Sequence, residues 1–172
     1  MGINHHGTSV EHHREGKILE AILGLAMVEQ LDELYRDVIL DHFKNSSHHG
    51  EIPDAQIKVT GANPLCGDEM TFYVKMGDGR IQQVRFQGKG CAISQAAASM
   101  LAAQLEHHTV SEATHVIETM KALMQGQEPD PSIDLGDLES LAGVRKFPVR
   151  VKCAALSWNV VEQGLEEYQN SG

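Results

Sequence analysis

The sequence predicts an α+β fold, a small three-stranded antiparallel sheet packed against several helices, and three observations carry that reading. Near both ends of the chain apolar residues recur at three- and four-residue steps, the period of amphipathic helices. Between them, residues 57–86 switch to alternation punctuated by Gly-containing turns, the pattern of strands. Helical stretches then follow one another with no return to strand, so sheet and helices are segregated along the chain, as in α+β domains.

Taken in order, residues 1–17 hold His5, His6, His12 and His13 among Gly, Ser, Thr and Glu with no apolar period, and read as a solvated tail. Residues 18–28 suit a short helical extension, so residues 1–28 are expected to be a flexible N-terminal extension and residues 29–172 the folded domain. After Glu29, the spacing of Leu31, Leu34, Tyr35, Val38, Ile39, His42 and Phe43 predicts an amphipathic helix with His42 on its face. Residues 45–54 are turn chemistry. Ile57 and Val59 alternate with polar neighbours, residues 61–68 read as a breaker-rich loop, and residues 70–76 read as a strand. Gly77, Asp78 and Gly79 then turn the chain into a second strand over 80–86, a β-hairpin. A further loop over 87–90 leads to Cys91, and the small, helix-forming residues of 92–105 predict a closely packed helix. Ser111 and Glu112 open another helix to about Gln125. Residues 135–144 form a short helix or turn closed by Gly143, and Pro148 makes Phe147 extended. Cys153 is expected to open the last helix, whose core face includes Leu156, Trp158, Val161 and Leu165; Met100, Met120 and Met124 read as core.

The chain has 172 residues, the size of one domain with a real core, and 41% apolar and 22% charged residues, which fits neither a disordered polymer nor a membrane protein. Its longest plainly apolar stretch, residues 21–28, is far short of the roughly 20 residues that span a bilayer. The net charge of −10, with Lys and Arg scattered along the chain, makes nucleic acid and anionic membranes poor partners and suits a basic partner protein better. Three cysteines, an odd number, make no disulfide framework, and no secretion signal opens the sequence; a reducing, cytoplasmic setting is expected.

Each cysteine sits where a breaker-rich segment meets a regular element: Cys66 with Asp68 before a strand, Cys91 and Cys153 at expected helix starts. A thiol at a helix N-terminus feels the positive end of the dipole, which favours the thiolate that binds metal and attacks sulfur. The cysteines are 25 and 62 residues apart, which is not the spacing of a zinc knuckle. Cys66, Asp68, Cys91 and Cys153 nonetheless supply four donors of the kinds that tetrahedral zinc accepts. On residue chemistry alone two readings stand: a ligand set, or buried small hydrophobes with Asp68 capping a turn.

The stretches GANPLCGD (61–68), FQGKGCAIS (86–94) and RVKCA (150–154) resemble the three cysteine motifs of the IscU/SufU/NifU N-terminal family of iron–sulfur cluster assembly proteins, and the similarity covers about residues 34–168. Within that family the chain resembles the SufU branch. Lys152 precedes the third cysteine where the IscU type has histidine, FPVR (147–150) replaces the chaperone-read LPPVK, and residues 127–145 resemble the longer SufU segment between the second and third cysteines. The resemblance implies a SufE/IscU-like fold and zinc held by Cys66, Asp68, Cys91 and Cys153. It implies a SufS-type cysteine desulfurase as sulfur donor and downstream Suf assembly proteins as recipients. It also implies that a desulfurase histidine replaces Cys66 on zinc, freeing Cys66 to attack the terminal sulfur of a persulfide. Cys66 is then the catalytic residue of a sulfurtransferase-like carrier. The alternative within the same resemblance is a scaffold on which a transient iron–sulfur cluster is assembled and transferred. Arg150 either pairs with Asp68, steadies a persulfide or is an ordinary surface arginine, and Lys89 has the same ambiguity.

Overall fold

Residues 31–171 are described by the structure, a computed structural model; the expected extension over residues 1–28 lies outside the described residues. Glu33–Asn45 form α1, in which Ile39 is fully buried and Val38, Leu40 and Phe43 pack partly buried against the core, as the apolar period requires. His42 lies on this helix face as expected and ties three elements together. Its Nδ1 is 2.8 Å from the Ser99 hydroxyl and its Nε2 is 2.8 Å from an Asp137 carboxylate oxygen.

Three strands follow, β1 (Ile57–Asn63), β2 (Asp68–Gly77) and β3 (Arg80–Lys89), in one antiparallel sheet of order β1-β2-β3. Val59 pairs with Phe72 and Phe72 with Phe86, which lays one apolar row across the sheet. Burying Phe72 and Phe86 completely contributes about 1.5–3 kcal/mol for each ring. The β2–β3 turn puts Asp78 at φ 54° and Gly79 at φ 74°, the left-handed pair that a tight hairpin needs.

Two expected loops are strand instead, at residues 61–63 and 87–89. In both places the glycine answers to a neighbour rather than to a turn. A Cβ on Gly61 would strike the Val160 side chain, and one on Gly88 (φ 156°) would strike the Glu69 carbonyl on the adjacent strand. The outer edge of β3 is covered by two flanking segments. Phe86 N–H donates to the His48 carbonyl (2.9 Å), and Ile81 N–H donates to the His108 carbonyl (2.8 Å).

Ala92–Leu105 form α2, as predicted, and nearly every residue of it is buried; its small side chains let it touch α1, β3 and the last helix closely. Val110–Met124 form α3, which starts one residue earlier than expected because Thr109 and Glu112 make a reciprocal capping box. Residues Gly136–Lys146 form a 3-10 helical segment that runs through Gly143 rather than ending there, and it drives Leu138, Leu141 and Val144 into the core. Pro148–Asn170 form α4, and Phe147 before it has a non-helical backbone (φ −126°, ψ 84°). This corrects the expectation that Cys153 opens the last helix. Pro148 takes the first helical position, where its missing N–H costs nothing, and Cys153 falls in the second turn. Trp158, Met100, Met120 and Met124 are core, as expected. No helix among the described residues is long and apolar enough to cross a membrane.

Candidate metal centre

The sheet ends carrying Asn63, Asp68 and Lys89 lie together, and the three cysteines gather at this end. Residues 64–67 link β1 to β2 in a loop organised by Asn63. The Leu65 N–H donates to Asn63 Oδ1 (3.1 Å), while the Cys66 and Gly67 N–H groups donate to the Asn63 carbonyl (3.2 and 2.9 Å). Asn63 Nδ2 reaches Cys66 Sγ at 3.4 Å, and Gly67 takes the left-handed φ of 69° that returns the chain to Asp68. Asp68 opens β2 and is 1% exposed.

From α4, the Cys153 thiol donates to Cys66 Sγ at 2.9 Å. Ligand atoms of Cys66, Asp68 and Cys153 lie within 4.8 Å of one another. The fourth predicted residue, Cys91, stands outside this trio but adjoins it: it occupies the N-cap position of α2, is buried, and lies near enough to Cys153 for the two thiols to shift each other's acidity. All four residues singled out from the sequence therefore converge, three of them tightly. Arg150 faces the thiols, with Nη1 3.8 Å from Cys153 Sγ. Lys89 is exposed at the end of β3, opposite Glu69.

The charge distribution follows from the contacts. The neighbouring Cys153 thiol lowers the Cys91 thiol to about 5 against the opposing effect of burial, with help from Ser94 and the Arg150 guanidinium. That same contact, with burial and the neighbouring Cys66, Cys91 and Asp68, pushes the Cys153 thiol up. Partial burial works against the Arg150 cation, and the Cys91 and Cys153 sulfurs outweigh it.

A buried carboxylate beside a buried thiolate is costly unless a cation answers them. Three sulfurs and one carboxylate are also donors that zinc accepts in four-coordinate sites. The backbone makes room for the set: a Cβ on Gly90 would collide with the Ser94 hydroxyl and come within 3.0 Å of Asp68 Oδ1. The residues present therefore fit a zinc ion. Sequence reasoning missed Asn63, Gly90 and Ser94 as supports of this site. The Asn-Pro dipeptide at 63–64 was the available signal for the first, and Ser94 three residues past a helix cap for the last.

Residues 34–171 match the NifU-like N terminal domain family. The chain belongs to this family, which serves iron–sulfur cluster assembly. It is 44% identical over 135 residues to the zinc-dependent sulfurtransferase SufU of Bacillus subtilis (strain 168), covering 78% of this chain and 91% of that relative. It is 36% identical over 144 residues to the iron–sulfur cluster assembly scaffold protein IscU of Streptococcus pyogenes serotype M1, covering 84% and 90% of the two. Among solved structures, a SufU chain from Fervidobacterium islandicum AW-1, described as a candidate cluster-assembly scaffold of the SUF system, superposes with a TM-score of 0.72 at 36% identity. That match covers 75% of this chain and 94% of the other. The family, the SufU-like character and the α+β fold expected from the three motifs all hold.

Proposed function

We propose that this protein accepts sulfur on Cys66 from a SufS-type cysteine desulfurase and passes it to downstream Suf assembly proteins, with zinc as its resident metal. The observation that carries this reading is exposure: Cys91 and Cys153 are buried, whereas Cys66 is partly exposed on its short loop. A donor sulfur reaches Cys66 first. The zinc-dependent sulfurtransferase among the relatives supports the same reading.

Cys66, Asp68, Cys91 and Cys153 would hold the zinc, which when bound favours the thiolate forms of its cysteine ligands. The Cys66 thiolate attacks the terminal sulfur of the donor's persulfide. A new S–S bond forms to Cys66 Sγ, the donor's own S–S bond breaks, and the donor cysteine leaves as a thiolate. Arg150, set beside Cys153 in the same cluster, offsets the negative charge that Cys66 carries as a thiolate before the attack and as an ionised persulfide after it. Such chemistry requires free thiols, and all three cysteines are free, which agrees with a reducing compartment such as the cytoplasm.

Zinc-loaded protein incubated with a SufS-type desulfurase and cysteine is expected to gain the mass of one sulfur atom, mapped to the Cys66 peptide. Cys66→Ser is expected to gain none. Sulfur taken up at the normal rate by Cys66→Ser would overturn the assignment. The second reading, a cluster scaffold, is favoured by the streptococcal relative and by the same three thiols. Anaerobic reconstitution with iron and sulfide would then replace zinc and produce cluster absorbance.

A further inference from the structure

We propose that the surface around Cys66 docks an acidic protein segment that also presents an apolar side chain, with Lys152 as its charged contact. The inference rests on the reading of Cys66 as sulfur acceptor, because docking must bring a donor sulfur to that atom.

Among the described residues, Leu65 and Val149 are the large hydrophobic side chains left exposed, at 72% and 64%. They come from separate elements, the 64–67 loop and the first turn of α4, yet they meet beside the reactive thiol. With Cys66, Pro148 and Lys152 they line a depression of about 330 Å³. A second depression of about 360 Å³ runs along β1 and α4 from Gly61 to Pro64, and Lys152 lines this one too. Isolated exposed hydrophobics need no explanation, but a pair flanking a reactive atom at the mouth of a depression marks an interaction surface.

Charge decides the kind of partner. The chain has 24 acidic residues, yet none lines either depression, and Lys152 is the charged side chain of both. Residues 145–152 (RKFPVRVK) hold four cations and no acid. Arg145 turns away, with Nε donating to the Ala142 carbonyl and Nη1 to the Leu123 carbonyl, and Arg150 turns to the thiols. Lys152 is exposed on the rim. This corrects the expectation from the sequence that Lys and Arg are merely scattered, and the proposed partner segment differs from the basic partner that the overall charge suggested. Overall charge is negative, but the surface at the thiol is apolar and positive. A depression of this size takes one or two side chains rather than a polymer backbone or a lipid surface, and its one charged side chain is a cation, which favours an acidic protein segment.

The test is the equilibrium affinity of the zinc-loaded full chain for a SufS-type desulfurase, measured by calorimetry at low and high salt. Zinc content and circular dichroism are checked for each variant. Lys152→Glu is expected to weaken binding at least tenfold and to remove most of its salt dependence. Leu65→Ser is expected to weaken it by a similar factor with the salt dependence kept. Lys44→Glu, an exposed charge reversal on α1, is expected to stay within twofold. If Lys152→Glu loads zinc poorly, Lys152→Gln and Leu65→Ser carry the test. Zinc-loaded rim variants that bind within twofold of wild type, or bind more tightly, overturn the proposal. Binding of the wild type without sulfur on Cys66 overturns the acceptor reading and leaves the rim variants to decide docking. Absence of wild-type binding overturns both. Binding of anionic vesicles or RNA that Lys152→Glu abolishes, with desulfurase affinity unchanged, would replace the acidic protein segment by a polyanion.

Discussion

At one end of the sheet Gly77, Asp78 and Gly79 turn β2 into β3, with Asp78 and Gly79 exposed and nothing within 4 Å of where a Gly79 Cβ would stand. At the other end Pro64, Leu65, Cys66 and Gly67 turn β1 into β2, with Leu65 exposed and the carboxylate of Asp68 buried. Both connections use a left-handed glycine, Gly79 at one end and Gly67 at the other, so backbone conformation does not distinguish them. Polarity does. The hairpin end is polar outward, as an ordinary turn should be, whereas the thiol end hides its acid and two of its three thiols and shows its leucine. A fold gains nothing from that inversion by itself; the proposed metal and partner would give it a reason.

The largest expected effect that would sharpen this contrast is loss of metal. Cys153→Ser should weaken zinc binding by about 100-fold or more, measured by chelator competition and metal analysis, while Asp78→Ala at the hairpin end leaves it unchanged. On the proposed reading zinc binds only the folded chain, so a hundredfold excess over its Kd should stabilise wild type by about 2.7 kcal/mol in urea unfolding, and the gain should vanish in Cys153→Ser. Equal zinc affinity for Cys153→Ser and wild type would remove Cys153 from the ligand set.

A matched glycine pair gives the next effect. Gly90→Ala presses on Ser94 and Asp68 and should lower zinc affinity about tenfold. Gly79→Ala, strained only by its φ of 74°, should cost about 1 kcal/mol of stability with zinc affinity intact. If both variants behave alike, the two ends differ less than their polarity suggests.

The smallest effect lies away from both ends, at the segment covering β3. Burial lowers the pKa of His48, with the nearby Glu106 carboxylate opposing it. Below about pH 6.5 the unfolded chain then takes up more protons at His48 than the folded one. Its contribution is present above that value and is lost as pH falls through the folded pKa. The decline in Tm from pH 7 to 5 should be shallower in His48→Gln; an unchanged slope would show that other groups govern it.

Much of this architecture was legible from local chemistry. Residues 92–105 read correctly as a helix because their small, helix-forming side chains leave no competing pattern. The hairpin was visible because Gly-Asp-Gly supplies the left-handed positions directly. Gly61 and Gly88 misled because what they accommodate, Val160 and the Glu69 backbone, comes from another element. Pro148 misled because proline reads equally as a stop and as the first residue of a helix.

For the site, the motifs determined the family and singled out Cys66, Asp68, Cys91 and Cys153 as the candidate donors, since thiols and a carboxylate are the chemistry such a site needs wherever they stand in the chain. Only the tertiary structure decided that Cys66, Asp68 and Cys153 meet within 4.8 Å with Cys91 alongside, that Cys66 is the reachable thiol, and that Lys152 shares a rim with Leu65 and Val149. The physical reason is range. Turn and helix preferences act over a few residues, whereas the 87 residues separating Cys66 from Cys153 are bridged only by packing α4 against the sheet.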